Sequence, residues 1–423
     1  MATDEKRYIR KRLLKAGLQS IPFYLFRLLP IKRRKVVFTT IEGTTGFTCN
    51  PKYIALELMR RNETLPPRSR WELVWLVNDA GKVFPDGIRR GRNTLLNRAR
   101  HLATARFWID NSRKQLECRK RRGQTYIQTW HAKLGFKPTC LDRGASFSKI
   151  AYLVSRHDSD MVDFWLSNSD WYDRTLKTGS LYEGKTLRTG SPRCDGLVKV
   201  RGDAAAKDEA RRHIRCLYRI SGGKDDIRFL MYAPTYREGN SEVTRTLSTS
   251  GQFPDLLRLR KNMEKRFGGS WYILLRLHPQ LVVRRIGAAG IAGNAAGGGF
   301  QEGIIDASGF DDMYELLAGC DAFLTDYSSA AFDAAVAGMP VFLYCDDYKK
   351  YEGERGKLLW DLRKLPFPLA ENDGELEKNI EQFDRDEYGK RLEALFNETG
   401  MTEDGNGAAT VADFMERLSE TKK

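Results

Sequence analysis

The chain has few cysteines, the residues that form disulfides and many zinc sites. It contains seven cysteines among 423 residues, scattered and odd in number, and none forms a C-x-x-C pair. This pattern argues against a zinc site and a disulfide framework, and it favours a reducing, cytosolic compartment. Acidic residues are also in deficit. The 55 Asp and Glu stand against 71 Lys and Arg, which gives a formal net charge of +16.

Long apolar runs are absent as well. The most apolar stretch near the amino terminus, residues 21–29, is interrupted by Pro22 and Arg27. It is shorter than the roughly 20 apolar residues that a membrane-spanning helix requires. It also lacks the small-residue cleavage pattern of a secretory signal peptide. We therefore expect neither a spanning helix nor a signal peptide in this stretch.

Positive charge is concentrated at the amino terminus. Residues 1–35 carry eleven Lys and Arg against only Asp4 and Glu5, with apolar side chains interspersed among them. Such a segment is typical of a basic amphipathic anchor that lies on an anionic membrane surface. Three alternatives remain open: a solvated basic arm, a helix that packs on the domain, and a nucleic-acid-binding arm.

In the rest of the chain, sequence patterns typical of strands alternate with patterns typical of helices. The length and a 41% hydrophobic content are sufficient for two domains, each with its own core. Apolar strand-like runs recur between helical segments, which predicts doubly wound α/β domains. Ser221–Asp226 is a polar break, so we predict an amino-terminal domain over residues 36–220. A carboxyl-terminal domain with terminal helices is predicted over residues 221–423. The predicted strands are Val36–Thr40, Trp71–Val77, Phe107–Asp110, Tyr126–Thr129, Phe164–Ser167, a strand leading to Gly190, Arg228–Ala233, Trp271–Leu277, Gly303–Asp306, Ala322–Thr325 and Pro340–Tyr344.

Polar residues that could bind or react with a ligand follow several of these strands. The segments are Gln128–His131, Met231–Arg237, Leu274–Pro279 and Thr325–Ser329. In open α/β sheets, ligands collect at the carboxyl ends of the strands, so this repeated placement indicates one cleft. Ser328 and Ser329 also open a helix, where unpaired amides attract anions. The simpler alternative is that one serine only caps that helix.

Only two of the five histidines, His131 and His278, end strand-like segments, and histidine is the side chain suited to proton transfer near neutral pH. Arg276 and His278 are two residues apart, so on a strand they face the same side. No paired Asp-x-Asp accompanies Asp326, so we expect no catalytic metal. The Gly/Ala tract at residues 287–299 is not followed by Lys-Ser/Thr, which argues against a phosphate loop.

Together these segments resemble the CDP-glycerol glycerophosphotransferases, the teichoic acid polymerase and primase group, and related capsule polymerases. The resemblance runs from about Lys35 to Asp404–Asn406. The matching segments are Gln128–His131 with Lys137, Gly190–Asp195, Tyr232–Arg237, Arg276–Pro279, Thr325–Ser329 with Phe332 and Asp333, and Glu354–Gly356. Two segments depart from the common pattern. Ala-Lys-Leu-Gly-Phe follows His131, and Gly-Ser-Pro-Arg-Cys-Asp ends at Asp195.

The resemblance implies a GT-B-like fold of two Rossmann-type domains with an interdomain active-site cleft. It implies transfer of a polyol phosphate, with glycerol phosphate favoured, from a CDP-activated donor to a hydroxyl of a lipid-linked or growing cell-surface polymer, with CMP released. His131 is implied as general base. His278 is expected to act on the leaving phosphate, and Arg276, Thr235, Arg237, Asp326, Ser328 and Ser329 are expected to bind the donor pyrophosphate. Arg193 and Asp195 are expected to line the cleft.

Simpler structural roles stay open for several of these residues. His131 could be a histidine bonded to its own loop, Arg276 a salt bridge at the sheet rim, and His278 a turn residue fixed by Pro279. Arg193 and Asp195 could form a structural ion pair.

Other functions remain as alternatives: a GT-B glycosyltransferase using a sugar nucleotide, a ribitol-phosphate or capsule polymerase, and a non-enzymatic membrane-binding protein. The expected partners are CDP-glycerol or a related CDP-polyol, a lipid-linked acceptor, and an anionic membrane surface bound through residues 1–35. Nucleic acid and resident cofactors are not expected. The expected location is cytoplasmic, peripheral on the inner face of the cell membrane.

Overall fold

The computed structural model describes residues 2–220, 226–235, 253–277, 303–355 and 357–420. The chain divides into two compact units. The first contains residues 1–133, 139–195 and 401–423, and the second contains residues 134–138 and 196–400. Among the predicted features, His278, Arg237 and the Gly/Ala tract at 287–299 lie outside the described residues.

The first unit is built on a parallel sheet of seven strands in the order β3-β2-β1-β4-β5-β6-β7. Its strands are β1 (Lys32–Thr39), β2 (Glu72–Val77), β3 (Ile88–Arg92), β4 (Ala105–Asp110), β5 (Thr125–Gln128), β6 (Phe164–Ser167) and β7 (Lys185–Arg188). Its helices are Ala2–Gln19, Ile21–Leu25, Cys49–Thr64, Leu95–Thr104, Lys149–Met161, Asp170–Ser180 and Gly407–Glu420. Because successive strands add outward on either side of β1, the order reverses between β1 and β4.

The second unit repeats this plan with a parallel six-stranded sheet in the order β10-β9-β8-β11-β12-β13. Its strands are β8 (Ile227–Ala233), β9 (Ser270–Leu275), β10 (Ile304–Asp306), β11 (Ala322–Thr325), β12 (Val341–Tyr344) and β13 (Leu369–Ala370). Its helices are Ala204–Leu217, Leu256–Phe267, Met313–Gly319, Ala330–Val336, Tyr348–Arg355, Asp373–Glu381 and Arg385–Thr399, with Asp195–Gly202 at the boundary between the units. Here the order reverses between β8 and β11.

Both faces of the first sheet are buried. In β4, Phe107 and Ile109 join the apolar cluster on one face, and Trp108 joins the cluster on the other. Alternate side chains of a strand point to opposite faces, so a strand covered on both sides is apolar throughout. This is why continuous apolar runs, rather than alternating ones, predicted these strands.

The eleven predicted strands overlap or correspond to observed ones, with β7 as the strand that leads to Gly190, and two observed strands were not predicted. Strand β3 is a charged edge strand in which Ile88 is buried and Arg89, Arg90 and Arg92 are exposed. It pairs in parallel with β2 without an apolar pattern of its own. Edge strands of this kind need little hydrophobic sequence because one side is solvated. Strand β13 has only two residues, too few for any periodic signal.

The boundary between the units differs from the predicted one. The break lies at Asp195 rather than near residue 220, and the last helix belongs to the first unit. Val411, Ala412 and Met415 of that helix are fully buried in the first unit's apolar core. Composition along the chain cannot show that the last helix returns to the first unit, because the contacts join residues more than 200 positions apart.

Asp195, predicted to line the cleft, holds the start of this last helix. Its two carboxylate oxygens accept the amide N–H groups of Gly407 at 2.9 Å and Ala408 at 2.8 Å. Burial raises the pKa of Asp195 to about 6. The first amides of a helix have no partners inside the helix, so a side-chain acceptor at this position stabilises it.

The amino-terminal segment joins the first unit through few side chains. Phe23 is fully buried in the core, whereas Leu14 is 62% exposed and Leu18 is 69% exposed. Ile9, Leu13, Leu14 and Leu18 line an apolar groove of about 860 Å³ that also includes Lys6, Arg10 and Lys149. Among the described residues, no helix has both the length and the apolar character that crossing a bilayer requires.

The position of Asp195 generates a stability prediction. Replacement Asp195→Ala removes the acceptor of two buried amides and should lower the free energy of unfolding by about 1–2 kcal/mol. Asp195→Asn keeps an acceptor oxygen and avoids burying a charge, so its loss should be smaller. Urea denaturation followed by tryptophan fluorescence measures both. Equal stability of wild type and Asp195→Ala would show that the cap does not stabilise the helix.

Candidate active site

In the first unit, His131 lies in the loop after β5 and contacts the loop after β4. Strand β4 adjoins the point where the strand order reverses, at which loops diverge to opposite faces and leave a crevice. Thr129, which follows β5, is fixed there by two hydrogen bonds to the Asp110 carbonyl, from its amide at 2.8 Å and its hydroxyl at 2.9 Å. The site therefore lies where the sheet itself creates a concave edge.

His131 is oriented by the loop that follows β4. Its Nδ1 lies 2.8 Å from the carbonyl oxygen of Asn111. A carbonyl can only accept a hydrogen bond, so Nδ1 carries the proton and Nε2 keeps its lone pair. The side chain is exposed, so solvent or a substrate can reach it. The loop bond expected for a structural histidine is present, and it also leaves Nε2 able to accept a proton.

The residue before His131 has an unusual backbone. Trp130 has φ of 49°, in the left-handed region that large side chains seldom adopt. Gln128 helps to hold it there, because its Oε1 accepts the Trp130 amide at 3.0 Å. Asn50 Nδ2 donates to the Trp130 carbonyl at 2.8 Å. This turn sets the Trp130 and His131 rings side by side, with centroids 4.6 Å apart.

Three cations surround the imidazole. Although solvent reaches the side chain, nearby protein atoms desolvate the ring, and together with Arg193, Lys133 and Arg113 they lower the pKa of His131 to about 4. The bond to Asn111 partly opposes this shift. Lys133 is buried and donates to the Thr129 carbonyl at 2.6 Å and to that of Leu166. A neutral imidazole beside fixed cations is suited to act on a substrate that brings its own negative charge.

A buried polar network lies beneath this site. Lys114 forms an ion pair with Asp110 at 2.5 Å and donates to the Thr39 hydroxyl at 3.1 Å. The other oxygen of Asp110 accepts the Ser112 amide at 2.8 Å. Charges this deeply buried tolerate few alternative arrangements because each would lose its partners. The network thus fixes the loop that contains Asn111, the partner of His131.

The candidate donor residues of the second unit lie at the equivalent reversal point. Thr235 follows β8 and Asp326 follows β11, its neighbour in the sheet. The Thr235 amide donates to both oxygens of Asp326, at 2.9 and 3.0 Å, and the Thr235 hydroxyl donates at 3.0 Å. Asp326 therefore holds the loop after β8.

Among the described residues, no group of three or more His, Cys, Asp or Glu could hold a metal ion.

Ser328 and Ser329 precede the helix Ala330–Val336, as predicted. Ser328 Oγ accepts the Ala330 amide at 3.3 Å, whereas Ser329 makes no capping bond with its side chain. The simpler capping role thus applies to Ser328 alone. Both serines are half-buried, so their hydroxyls are neither sealed in the core nor fully solvated.

The short segment Leu134–Pro138 also belongs to the second unit. Trp360 Nε1 donates to the Gly135 carbonyl at 3.1 Å, and the Leu359 amide donates to the Phe136 carbonyl at 2.8 Å. The Phe136 ring packs on Phe332 with centroids 4.9 Å apart. Gly135 lies so close to Ser329 that an added Cβ would sit 3.7 Å from the serine Cβ. This is the segment in which the sequence departs from the common family pattern.

Arg276 is engaged with main-chain oxygens. Its guanidinium donates to the carbonyl of Ala307 at 2.7 Å, to that of Ser308 at 3.2 Å and to that of Phe310. These hydrogen bonds to the loop after β10 differ from both predicted roles, which were binding of phosphate by the guanidinium and a salt bridge at the rim of the sheet. The carbonyls of that loop need donors, and the strand pattern alone could not show that Arg276 supplies them. A direct contact of Arg276 with phosphate stays a prediction.

Sequence patterns missed three parts of the first-unit site: Asn111, Arg113 and Lys133. Lys133 stands two residues after His131, and Asn111 and Arg113 follow the buried strand β4. The rule that led to His131, a polar residue directly after a strand, also applies to Asn111. Arg193 was predicted and lies near His131, whereas Asp195 is engaged with the last helix.

Comparison with known proteins identifies the family. Residues 21–417 match the family described as CDP-Glycerol:Poly(glycerophosphate) glycerophosphotransferase. The chain belongs to this family. The resemblance inferred from the strand-end segments is therefore confirmed, and the match extends over both units.

Individual relatives agree with this assignment. The chain is 25% identical over 403 residues to a teichoic acid poly(glycerol phosphate) polymerase of Staphylococcus epidermidis, covering 92% of the chain and 51% of that relative. It thus spans about half the length of that protein. It is 23% identical over 412 residues to a polymerase of the same description from Bacillus spizizenii, covering 96% of the chain and 98% of the relative. A teichoic acid ribitol-phosphate primase of Bacillus spizizenii is 26% identical over 325 residues, with 74% and 76% covered.

A solved structure has the same fold. The wall teichoic acid polymerase TagF superposes with a TM-score of 0.75 at 23% identity, covering 99% of this chain and 98% of that one. The likeness confirms the GT-B-like architecture of two doubly wound domains that was predicted from the sequence.

The cations around His131 generate a prediction that needs no substrate. Arg113→Gln removes one positive neighbour and should raise the pKa of His131, because the imidazolium form is then less disfavoured. Arg113→Lys keeps the charge and should leave the pKa near that of wild type, well below 6.5. An NMR titration of the His131 ring proton measures all three proteins. A pKa in Arg113→Gln that stays at the wild-type value would show that Arg113 does not contribute to the lowering.

Proposed function

We propose that the protein transfers a polyol phosphate from a CDP-activated donor to a hydroxyl group of a lipid-linked or growing cell-surface polymer. The observation that carries this proposal is the state of His131, whose Nδ1 is anchored on the Asn111 carbonyl while Nε2 is left to accept a proton. Membership of the glycerophosphotransferase family supports the donor class. Relatives described as poly(glycerol phosphate) polymerases favour glycerol phosphate over ribitol phosphate.

The chemistry requires one proton transfer and one exchange at phosphorus. The acceptor hydroxyl oxygen attacks the phosphorus that carries the polyol, and a new P–O bond forms. The P–O bond to the CMP phosphate breaks, and CMP leaves. His131 Nε2 accepts the hydroxyl proton as the attack proceeds. A pKa of about 4 would make His131 a weak base in the free protein, but bound phosphates offset the nearby cations and raise it.

The second unit supplies the donor-binding groups in this proposal. The Ser329 hydroxyl, free of a capping bond, is available to a phosphate oxygen. Asp326 holds the Thr235 loop at the edge of the sheet where nucleotides bind in doubly wound folds. Arg276 orients the neighbouring loop through its carbonyl contacts. His278 and Arg237 remain predicted donor ligands from the family resemblance.

We further propose that the reaction needs no resident cofactor and no metal ion. The carboxylate of Asp326 is already engaged by the Thr235 amide and hydroxyl, so it serves the loop rather than a cation. Charge on the phosphates would instead be offset by fixed cations and hydroxyl donors.

The decisive experiment measures which donor is consumed. Pure protein is incubated with CDP-glycerol, CDP-ribitol and sugar nucleotides, and the release of CMP, UMP or UDP is recorded. We expect CMP from a CDP-polyol. His131→Ala should slow this release by about 100-fold to 10,000-fold, the usual effect of losing a general base, while CDP-glycerol affinity changes little.

His157→Ala is the matched control. His157 also contacts a backbone carbonyl, that of Cys118 at 3.1 Å, and its pKa is also lowered by burial, but it lies outside the proposed site. It should retain wild-type turnover. Turnover of a sugar nucleotide in place of every CDP-polyol would favour the glycosyltransferase alternative. Wild-type turnover by a folded His131→Ala protein would reject its role as base.

We also propose that the amino-terminal helices bind the cytoplasmic face of the membrane, where a lipid-linked acceptor would reside. Exposed leucines lie beside a basic helix face, and the apolar groove they form includes Lys6, Arg10 and Lys149. This combination fits insertion of apolar side chains among anionic headgroups. It supports peripheral attachment and does not require a spanning helix.

Substitution of two groove leucines tests this attachment. Leu14→Gln/Leu18→Gln removes apolar contacts worth about 1.5–3 kcal/mol each on burial, so binding to anionic liposomes should fall at least about tenfold. Both side chains are largely exposed, so the melting temperature should not change. The matched control is Val83→Gln/Leu96→Gln, at positions that are 81% and 62% exposed. Unchanged cosedimentation of the groove variant would place the membrane contact elsewhere.

A further inference from the structure

The second unit has a cavity of about 400 Å³ at the edge of its sheet opposite Thr235 and Asp326. It lies where β8, β9, β11 and β12 begin, and it spans the β8/β11 reversal from the amino-terminal side. Trp271, Asp321 and Pro340, which stand at or near these strand starts, are among the lining residues. Its volume is within the range of small-ligand sites. Nothing in the proposed transfer reaction uses this edge.

The lining of this cavity is strongly basic. Five cations, Arg201, Lys207, Arg211, Arg228 and Arg385, face it together with two carboxylates, those of Asp226 and Asp321. One of these carboxylates is already committed, because Asp321 pairs with Arg211 and also accepts the Phe229 amide at 2.9 Å. The cavity thus has an excess of positive charge that its own acidic residues do not neutralise.

Three of the five cations are engaged within the unit, and two are available. Arg211 pairs with Asp321, and Arg228 donates to the Phe267 carbonyl at 2.7 Å. Lys207 donates to the Ala318 carbonyl at 3.0 Å and to that of Cys320, where it caps the end of a helix. Arg201 and Arg385 are exposed, and neither makes a hydrogen bond or an ion pair within the described part of the chain.

Further features of the cavity point to an anion. The Nε of Arg211 is buried without a hydrogen-bond partner. Burial lowers the pKa of Lys207, because the ammonium is desolvated without full compensation by Asp321. Gly338 lies beside Arg201, with 3.6 Å between the position of an added Cβ and the arginine Nε, which is ordinary van der Waals contact. These features describe a preformed basic concavity rather than a set of scattered surface charges.

We propose that this cavity binds a chain that carries several phosphate groups, as a second site distinct from the transfer site. Given the proposed function, on which this identification rests, the ligand is the polyol-phosphate polymer, held at a distance from its reacting end. A cavity of this volume accommodates only a short segment, with the guanidinium groups of Arg201 and Arg385 paired to successive phosphates. Retention there keeps a growing chain on the protein between transfers.

The test compares two double variants of equal charge. Arg201→Ser/Arg385→Ser removes the two available guanidinium groups of the cavity. Arg68→Ser/Arg174→Ser removes two exposed arginines elsewhere. Binding of an end-labelled glycerol phosphate oligomer is followed by fluorescence anisotropy without donor. The cavity variant should raise Kd by at least about tenfold at low salt and flatten its salt dependence, and the control should change Kd by less than about twofold.

Competition with inorganic tripolyphosphate identifies the source of the phosphates. Displacement of the oligomer indicates a site for any multi-phosphate chain, and resistance to displacement indicates that the polyol linkers are also recognised. Wild-type oligomer affinity in the cavity variant, or an equal loss in both variants, would overturn the proposal.

A second measurement separates this site from the proposed function. With CDP-glycerol and acceptor, the cavity variant should start CMP release at the wild-type rate but make shorter products. Products of wild-type length would count against retention at the cavity. If wild type releases no CMP from any CDP-polyol while the cavity variant still loses oligomer binding, the proposed function fails and the binding site stands.

Discussion

Parallel pairing of the strands in both sheets is the constraint on which the chemistry of this protein depends. It brings all carboxyl ends to one edge, and the reversal of strand order leaves a crevice between β1 and β4 in one unit and between β8 and β11 in the other. His131 contacts the loop after β4, and Thr235 contacts Asp326 across the second reversal. Residues distant in sequence meet at these two points because parallel pairing brings the loops after neighbouring strands to the same edge.

The electrostatics around His131 combine two opposing requirements. A general base needs a pKa near the working pH, yet Arg193, Lys133 and Arg113 together with desolvation lower the pKa of His131 to about 4. The same cations are useful when a phosphate-bearing substrate arrives, because they offset its charge. In the proposed reaction, substrate charge would compensate the cations and raise the pKa of His131. A neutral imidazole beside fixed cations is consistent with chemistry on anionic substrates.

The sequence revealed the fold because buried parallel strands are apolar throughout, and it revealed His131 because a polar residue directly after such a strand is conspicuous. It failed where the signal is long-range. The family resemblance implied that Asp195 lines a cleft, and this role stays a prediction, but no local pattern showed that its carboxylate caps a helix whose first residues lie 212 and 213 positions away. Strand β3 was missed because an edge strand needs no apolar pattern. The role of Arg276 as a carbonyl clamp depends on a loop after β10 whose path local propensity does not specify.

The excess of positive charge in this chain is divided among separate environments, and each implies a different partner. At the amino terminus, Lys and Arg lie beside exposed leucines. This combination fits a membrane surface, where charged headgroups cover an apolar interior. Around His131, Lys133 and Arg193 are buried, and Lys133 is held by the carbonyls of Thr129 and Leu166, so its geometry is fixed and suits one small anionic group. At the amino-terminal edge of the second sheet, Arg201 and Arg385 are exposed beside a polar cavity. Long, exposed side chains that end in guanidinium groups are better suited to a flexible polyanion than to a rigid nucleotide.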